Sequence, residues 1–236
     1  MKKLLTALLV APAIALASGA AIHLDKAPDR QGDNAALQSG ARTFVNYCLN
    51  CHGASYVRYN TLTRLGLTEQ QIKDNLMFAA DKVGEQMRVA ARPAEQKTWF
   101  GATPPDLSLV ARSRASEDGS GADWLYTYLR SFYVDEKRPT GWNNTVYENV
   151  GMPHVLWQLQ GIQVLNADHH LELETPGSMA PAEYDKTVAD LVGFMVWAAE
   201  PEAGFRKQLG FGVLAFLIVL FGFAYKMKKN YWKDIK

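Results

Sequence analysis

Apolar residues recur along much of this chain at spacings of three and four. From residue 34 to about 49, Leu37, Ala41, Phe44, Val45 and Cys48 fall on one face, which predicts an amphipathic helix capped by Asn34. Gly40 lies on the same side as Phe44. Glycine inside a helix costs about 1 kcal/mol relative to alanine, and close approach of a second helix compensates for it. Gly53 reads as the stop of this helix. Thr68 and Gln71 have the capping-box spacing ahead of a helix carrying Ile72, Leu76 and Ala79. Pro104 and Pro105 forbid helix until Asp106, which reads as the cap of a helix carrying Leu107, Val110 and Ala111. Residues 122–132 predict a helix with an aromatic face of Trp124, Tyr128 and Phe132. Residues 155–165 and 169–174, split by Asn166-Ala167-Asp168, predict a two-stranded hairpin. Pro181 opens a helix over residues 182–199, and Pro201 ends it.

Two segments are apolar without period. Residues 4–17 follow Lys2-Lys3 and precede the small residues Ser18-Gly19-Ala20-Ala21, the layout of an export signal cleaved after Ala20 or Ala21. Residues 209–225 carry no charge and, with their flanks, are long enough for a transmembrane helix. Arg206-Lys207 precede that span, and Lys226, Lys228, Lys229, Lys233 and Lys236 follow it, which places the C-terminus in the cytoplasm. The divisions are a signal peptide at 1–20, an exported domain at 21–205, an anchor helix at 206–228 and a tail at 229–236.

Charge sharpens this division. The whole chain carries a formal +1. Residues 21–205 hold 16 basic and 23 acidic side chains, a net −7, whereas residues 206–236 carry a net +6. An acidic domain with a basic tail argues for membrane tethering and against nucleic-acid binding.

The candidate chemistry centres on Cys48-Leu49-Asn50-Cys51-His52, the C-x-x-C-H attachment signature of a c-type haem. Two thiols at this spacing reach the two vinyl groups of one porphyrin edge, and the adjacent histidine is carried under the iron. Both cysteines of the chain are used, so no disulfide framework remains. A carbonyl at Pro104 or Pro105 suits the Nδ1–H of a ligand histidine. Arg112 and Arg114 are candidates for pairing with haem propionates. For the second axial ligand, Met152 between Gly151 and Pro153 sits in a stiffened loop; Met179 and His154 remain alternatives. Met77, Met87 and Met195 read as core or surface. Methionine in the sixth position raises the potential and fills both axial sites, which favours electron transfer.

Several stretches together resemble the cytochrome c1 family, the haem subunit of the ubiquinol–cytochrome c oxidoreductase (bc1 complex), in its proteobacterial form. They are Leu24-Asp25-Lys26-Ala27-Pro28, residues 44–52, Arg58-Tyr59-Asn60, Pro104-Pro105-Asp106-Leu107-Ser108, Gly151-Met152-Pro153 and Trp197-Ala198-Ala199-Glu200-Pro201. The resemblance covers essentially the mature chain. It implies an all-α cytochrome c-type haem domain with insertions, including a small β-hairpin, plus one C-terminal transmembrane helix. It further implies one haem c bound through Cys48 and Cys51, iron ligation by His52 and Met152, and a propionate contact best matched by Arg114. The implied partners are cytochrome b, the Rieske iron–sulfur subunit and an acceptor cytochrome c, with no bond chemistry on this chain alone. Trp99-Phe100 departs from some relatives, which have polar residues near the propionates there, and His154 from many, which have proline or another uncharged residue. Two other functions stay open: an anchored cytochrome c serving a terminal oxidase, and a haem sensor or peroxidase-like protein with an open sixth site.

Overall fold

The computed structural model describes residues 22–234; the signal peptide read at residues 1–20 lies outside them. In chain order the elements are α1 (Asn34–Thr43), which runs into a wider π turn (Phe44–Cys48), then β1 (Ala54–Arg58), a 3₁₀ stretch (Tyr59–Leu65), α2 (Glu69–Asn75), β2 (Gln86–Met87), α3 (Pro93–Phe100) and α4 (Val110–Ser113). The second half holds α5 (Gly121–Arg130), β3 (Phe132–Val134), β4 (Trp142–Asn144), α6 (Trp157–Gln160), β5 (Gly161–Leu165), β6 (Leu171–Pro176), α7 (Pro181–Ala199) and α8 (Ala203–Tyr231). The strands form antiparallel pairs β1–β2, β3–β4 and β5–β6, each a separate two-stranded sheet. The fold is therefore the helical one anticipated, with three small antiparallel strand pairs among the described residues where one hairpin was expected.

The core is the crossing of α1 over α7. A Cβ on Gly40 would sit 2.1 Å from the Asp190 carbonyl oxygen and 2.7 Å from Phe194 Cβ, so only glycine lets the two backbones meet. Beside that point Phe44 packs on Phe194, ring centroids 5.6 Å apart. α5 joins the pair through Tyr184, buried on α7, whose hydroxyl donates to the Leu129 carbonyl at 2.7 Å.

Local chemistry moved several boundaries. Asp33, not Asn34, caps α1, accepting from the Ala36 N–H at 3.0 Å. The helix does not run unbroken to residue 49. The Leu49 N–H reaches back to the Phe44 carbonyl at 3.0 Å, a widened turn that re-aims the cysteine segment. Thr68 and Gln71 form the expected capping box, and Ile72 and Leu76 are buried, but α2 ends at Asn75 with Leu76 as its C-cap, so Ala79 lies beyond the helix and exposed. The hairpin appears as β5–β6, shortened at its start because residues 157–160 close a helical turn.

The N-terminal arm is stapled across α5 and α7. The backbone N–H groups of Asp25 and Ala27 donate to Thr127 Oγ1 and Asp123 Oδ1, both at 2.8 Å. Arg130 grips Asp25 at 2.7 Å and Asp185 at 2.6 Å, and Arg30 meets buried Asp190 at 3.1 Å. Asp123 also closes the Ser120 capping box of α5.

α8 leaves the domain with none of its apolar span covered by the rest of the chain. Its root is held by charges. Glu200 receives Arg112 of α4 at 3.1 Å and also Arg206 of α8, while Glu202 receives Arg64 of the 3₁₀ stretch. Exposed pairs of this kind are individually weak; together they tie the start of α8 to α4 and to the 3₁₀ stretch.

Burial opposes ionisation of Asp123, but hydrogen bonds from Ala27, Ser120 and Lys26 outweigh it and hold the carboxyl below its ordinary value. A depressed carboxylate contributes stability above its unfolded pKa and loses it as pH falls through the folded value. Asp123→Asn should therefore be about 1–3 kcal/mol less stable than the parent at pH 7. In thermal or urea unfolding at a series of pH values, that gap should close as pH drops below about 4.

Candidate haem site

The Cys48–His52 turn is closed by its own backbone: the N–H groups of Cys51 and His52 reach the Cys48 carbonyl at 3.1 and 2.8 Å. Neither thiol is in a disulfide. Burial, and then the neighbouring Cys51 thiol, push Cys48 up to about 12; burial also raises Cys51. The direction is opposite to that of the depressed thiolate in a dithiol oxidoreductase.

His52 is oriented from behind. Its Nδ1 lies 2.7 Å from the Pro105 carbonyl oxygen. A carbonyl only accepts, so Nδ1 carries the proton and Nε2 is left with its lone pair free for a metal. Burial lowers the His52 pKa, against the opposing effects of Pro105 and Asp106, so the ring is held toward its neutral, ligating form.

The loop that supplies Pro105 is locked to the same turn. The Leu107 N–H donates to the Gly53 carbonyl at 2.7 Å, the Ser55 N–H to Asp106 Oδ2 at 2.8 Å, and the Tyr56 N–H to Ser108 Oγ at 3.0 Å. Asp106 also accepts from the Ser108 N–H at 2.8 Å. Sequence reasoning made Asp106 a helix cap; it instead cross-links two loops, and α4 begins only at Val110. Gly53 likewise is not a left-handed helix stop. A Cβ there would sit 3.3 Å from Asp106 Oδ2, a tight contact with the loop that backs His52.

Met152 faces α5. Its sulfur lies 3.5 Å from the Tyr128 hydroxyl, and Tyr128 stacks on Trp124 with centroids 4.7 Å apart and planes within 13°. Burial raises the Tyr128 pKa well above the usual phenol value, so the hydroxyl stays protonated and able to donate. Of the two candidate arginines, Arg112 is engaged with Glu200 at the root of α8. Arg114 lies over Trp124 at 4.4 Å, on the aromatic stack that ends at Met152.

The alternative ligands are placed otherwise. The Met179 sulfur meets the Thr187 hydroxyl at 3.6 Å, and Met87 and Met195 are core residues. His154 is buried, stacked parallel on Phe132 at 4.9 Å and edge-on to Trp142 at 5.1 Å. Burial drives it down to about 4, against a hydrogen bond with Gln160. Among the described residues its Nε2 is buried without a hydrogen-bond partner, and its ring packs as an aromatic between Phe132 and Trp142.

Gln96 is a site residue that sequence reading missed. It is almost fully buried, and its Nε2 donates to the Cys51 carbonyl at 2.8 Å. Nothing in the pattern marks it, because α3 has no other buried position. A cavity of about 740 Å³ lies beside the same helix, lined by Val45, Leu49, Phe78 and Trp99 among others, but none of Cys48, Cys51, His52 or Met152 faces it.

The family model for cytochrome c1 matches residues 26–235. The chain belongs to the cytochrome c1 family. It is 43% identical to cytochrome c1 of Allochromatium vinosum, with all of both chains covered. It is 48% identical to a Nitrosomonas europaea protein named ammonia monooxygenase gamma subunit, covering all of this chain and 98% of the relative. Against cytochrome c1 of Rhodospirillum rubrum the identity is 28%, over 86% of this chain and 83% of the other. As a cytochrome c1 family member the chain is a membrane-anchored, electron-carrying subunit of the bc1 type with a covalently bound haem c. The residues present fit that group: two free thiols on one turn and a neutral imidazole with one nitrogen unengaged.

Gln96→Leu leaves the Cys51 carbonyl without its donor. It should lower stability by about 1–3 kcal/mol, read as a reduced unfolding midpoint together with a lower fraction of chains carrying covalent haem.

Proposed function

We propose that Cys48 and Cys51 hold one haem c, that His52 Nε2 and Met152 Sδ ligate its iron, and that the subunit carries electrons from a Rieske iron–sulfur protein to a cytochrome c. When bound, the haem supplies a one-electron Fe(III)/Fe(II) couple. The observation that carries this reading is the bond from His52 Nδ1 to Pro105 O, which fixes tautomer and ring direction directly after the two thiols. Arg114, on the stack that leads to Met152, is the better candidate for a propionate; Arg112 is the poorer one because Glu200 engages it.

Residues 1–20 act as the export signal, residues 21–205 form the haem domain in the periplasm, and residues 206–228 cross the cytoplasmic membrane ahead of a tail at 229–236. The lysines after the span support this orientation. The net −7 of the exported segment favours a basic partner steered by long-range attraction.

A second reading has one specific observation behind it, the 48% identity to a relative named as an ammonia monooxygenase subunit. In that case the same haem would serve an oxygenase. Mild solubilisation decides between them: co-elution with cytochrome b and a Rieske protein supports the bc1 assignment, and co-elution with oxygenase subunits supports the other.

With both axial positions filled, the oxidised and dithionite-reduced spectra should be low-spin and unmoved by carbon monoxide. Met152→Leu should open the iron to carbon monoxide and lower the reduction potential. A parent spectrum that shifts under carbon monoxide would return the sensor or peroxidase-like reading.

The rate of electron transfer to a basic cytochrome c, followed by stopped flow, should fall steeply as salt rises. A rate indifferent to salt removes the steering argument.

A further inference from the structure

We infer that Tyr128 is a positioning residue for the Met152 ligand, its hydroxyl donating a hydrogen bond to the thioether sulfur and so setting both the sulfur's place and its strength as a donor to iron. The inference rests on the proposed ligation by Met152.

The geometry leaves the phenol little choice. Tyr128 is buried, with Trp124 parallel to its ring at 4.7 Å and Phe132 edge-on at 5.0 Å, so the ring cannot rotate away. Its backbone is held as well. The Tyr128 carbonyl accepts from Asn144 Nδ2 at 2.8 Å, which ties this turn of α5 to β4. Among the described residues the hydroxyl's hydrogen-bond partner is the Met152 sulfur, at 3.5 Å, a separation suited to the large radius of sulfur. Met152 itself is partly buried against the core, between buried Val150 and buried His154.

A thioether sulfur has two lone pairs. One can go to the metal while the other accepts the O–H. Hydrogen bonding draws electron density from sulfur and weakens its donation, which matters more to Fe(III) than to Fe(II). The contact therefore favours the reduced haem. Removing only the hydroxyl should shift the couple toward the oxidised state while the ring and its packing remain.

The molecule supplies its own control. The Thr187 hydroxyl lies 3.6 Å from the Met179 sulfur while also reaching the Glu183 carbonyl at 2.9 Å, in a place given no ligand role. The full-length solubilised protein would be compared with Tyr128→Phe, Thr187→Val and Met152→Leu. The readouts are the potential from spectroelectrochemical titration and the sulfur-to-iron charge-transfer band of the oxidised form.

Tyr128→Phe should keep a low-spin spectrum, shift the Fe(III)/Fe(II) ratio at fixed poise about three- to tenfold toward ferric, and move the charge-transfer band. Thr187→Val should change neither. If Met152→Leu alters the spectrum but Tyr128→Phe leaves potential and band alone, this inference fails and the ligand assignment stands. If Met152→Leu leaves the spectrum unchanged, both fall together. Resonance Raman on the unmodified protein reads the same contact without a variant: an iron–sulfur stretch that shifts in D2O supports it, and one that does not overturns it.

Discussion

The approach of Gly40 to the Asp190 carbonyl is the constraint on which the rest of the molecule depends. Helices whose side chains face one another normally keep their axes 8–10 Å apart. A missing Cβ on α1 removes the spacer at one point, and Phe44 then packs on Phe194 within the same contact. Everything downstream of α1 inherits that placement. The π turn starts at Phe44, the Cys48–His52 turn follows it, and the Pro105 loop is cross-linked to that turn by backbone hydrogen bonds. On the other side of the crossing, α7 runs on through Glu200 into α8. The candidate haem turn and the membrane helix are thus referred to one contact between two backbones.

The backing of His52 shows how polar groups are used in this domain. A short proline-led loop cannot form a helix, so its carbonyls and side-chain oxygens are free to serve neighbours. Pro105 serves the imidazole, Asp106 takes the Ser55 N–H, and Ser108 takes the Tyr56 N–H. The loop, the start of β1 and the candidate haem turn thereby satisfy one another's polar groups, and Gln96 donates to the Cys51 carbonyl. A ligand histidine held in this way loses little orientational entropy when a metal arrives.

The sequence pattern was most informative where one physical factor dominates. The α1 and α7 faces, the Thr68 capping box and the uncovered apolar α8 are local or periodic, and they were legible. The acceptor for His52 was readable to within one residue because prolines at 104 and 105 both expose carbonyls. What escaped depended on tertiary partners. β1 is held by a two-residue β2 that lies beyond α2, a pairing with no local signature. Asp106 looks like a cap because aspartate before an apolar run usually is one; here Ser55 competes for the carboxylate. Gln96 and Tyr128 matter through single contacts with Cys51 and Met152, and no periodicity records a single contact.

The charged collar at the root of α8 has a mechanical meaning. Glu200 and Glu202 sit between the last core helix and the membrane span, and they draw Arg64, Arg112 and Arg206 from three different parts of the chain. A tether of a few flexible residues would let the domain swing over the bilayer surface. Here the ion pairs instead tie the root of α8 to α4 and to the 3₁₀ stretch, so the start of the span is referred to the folded domain at more than one point.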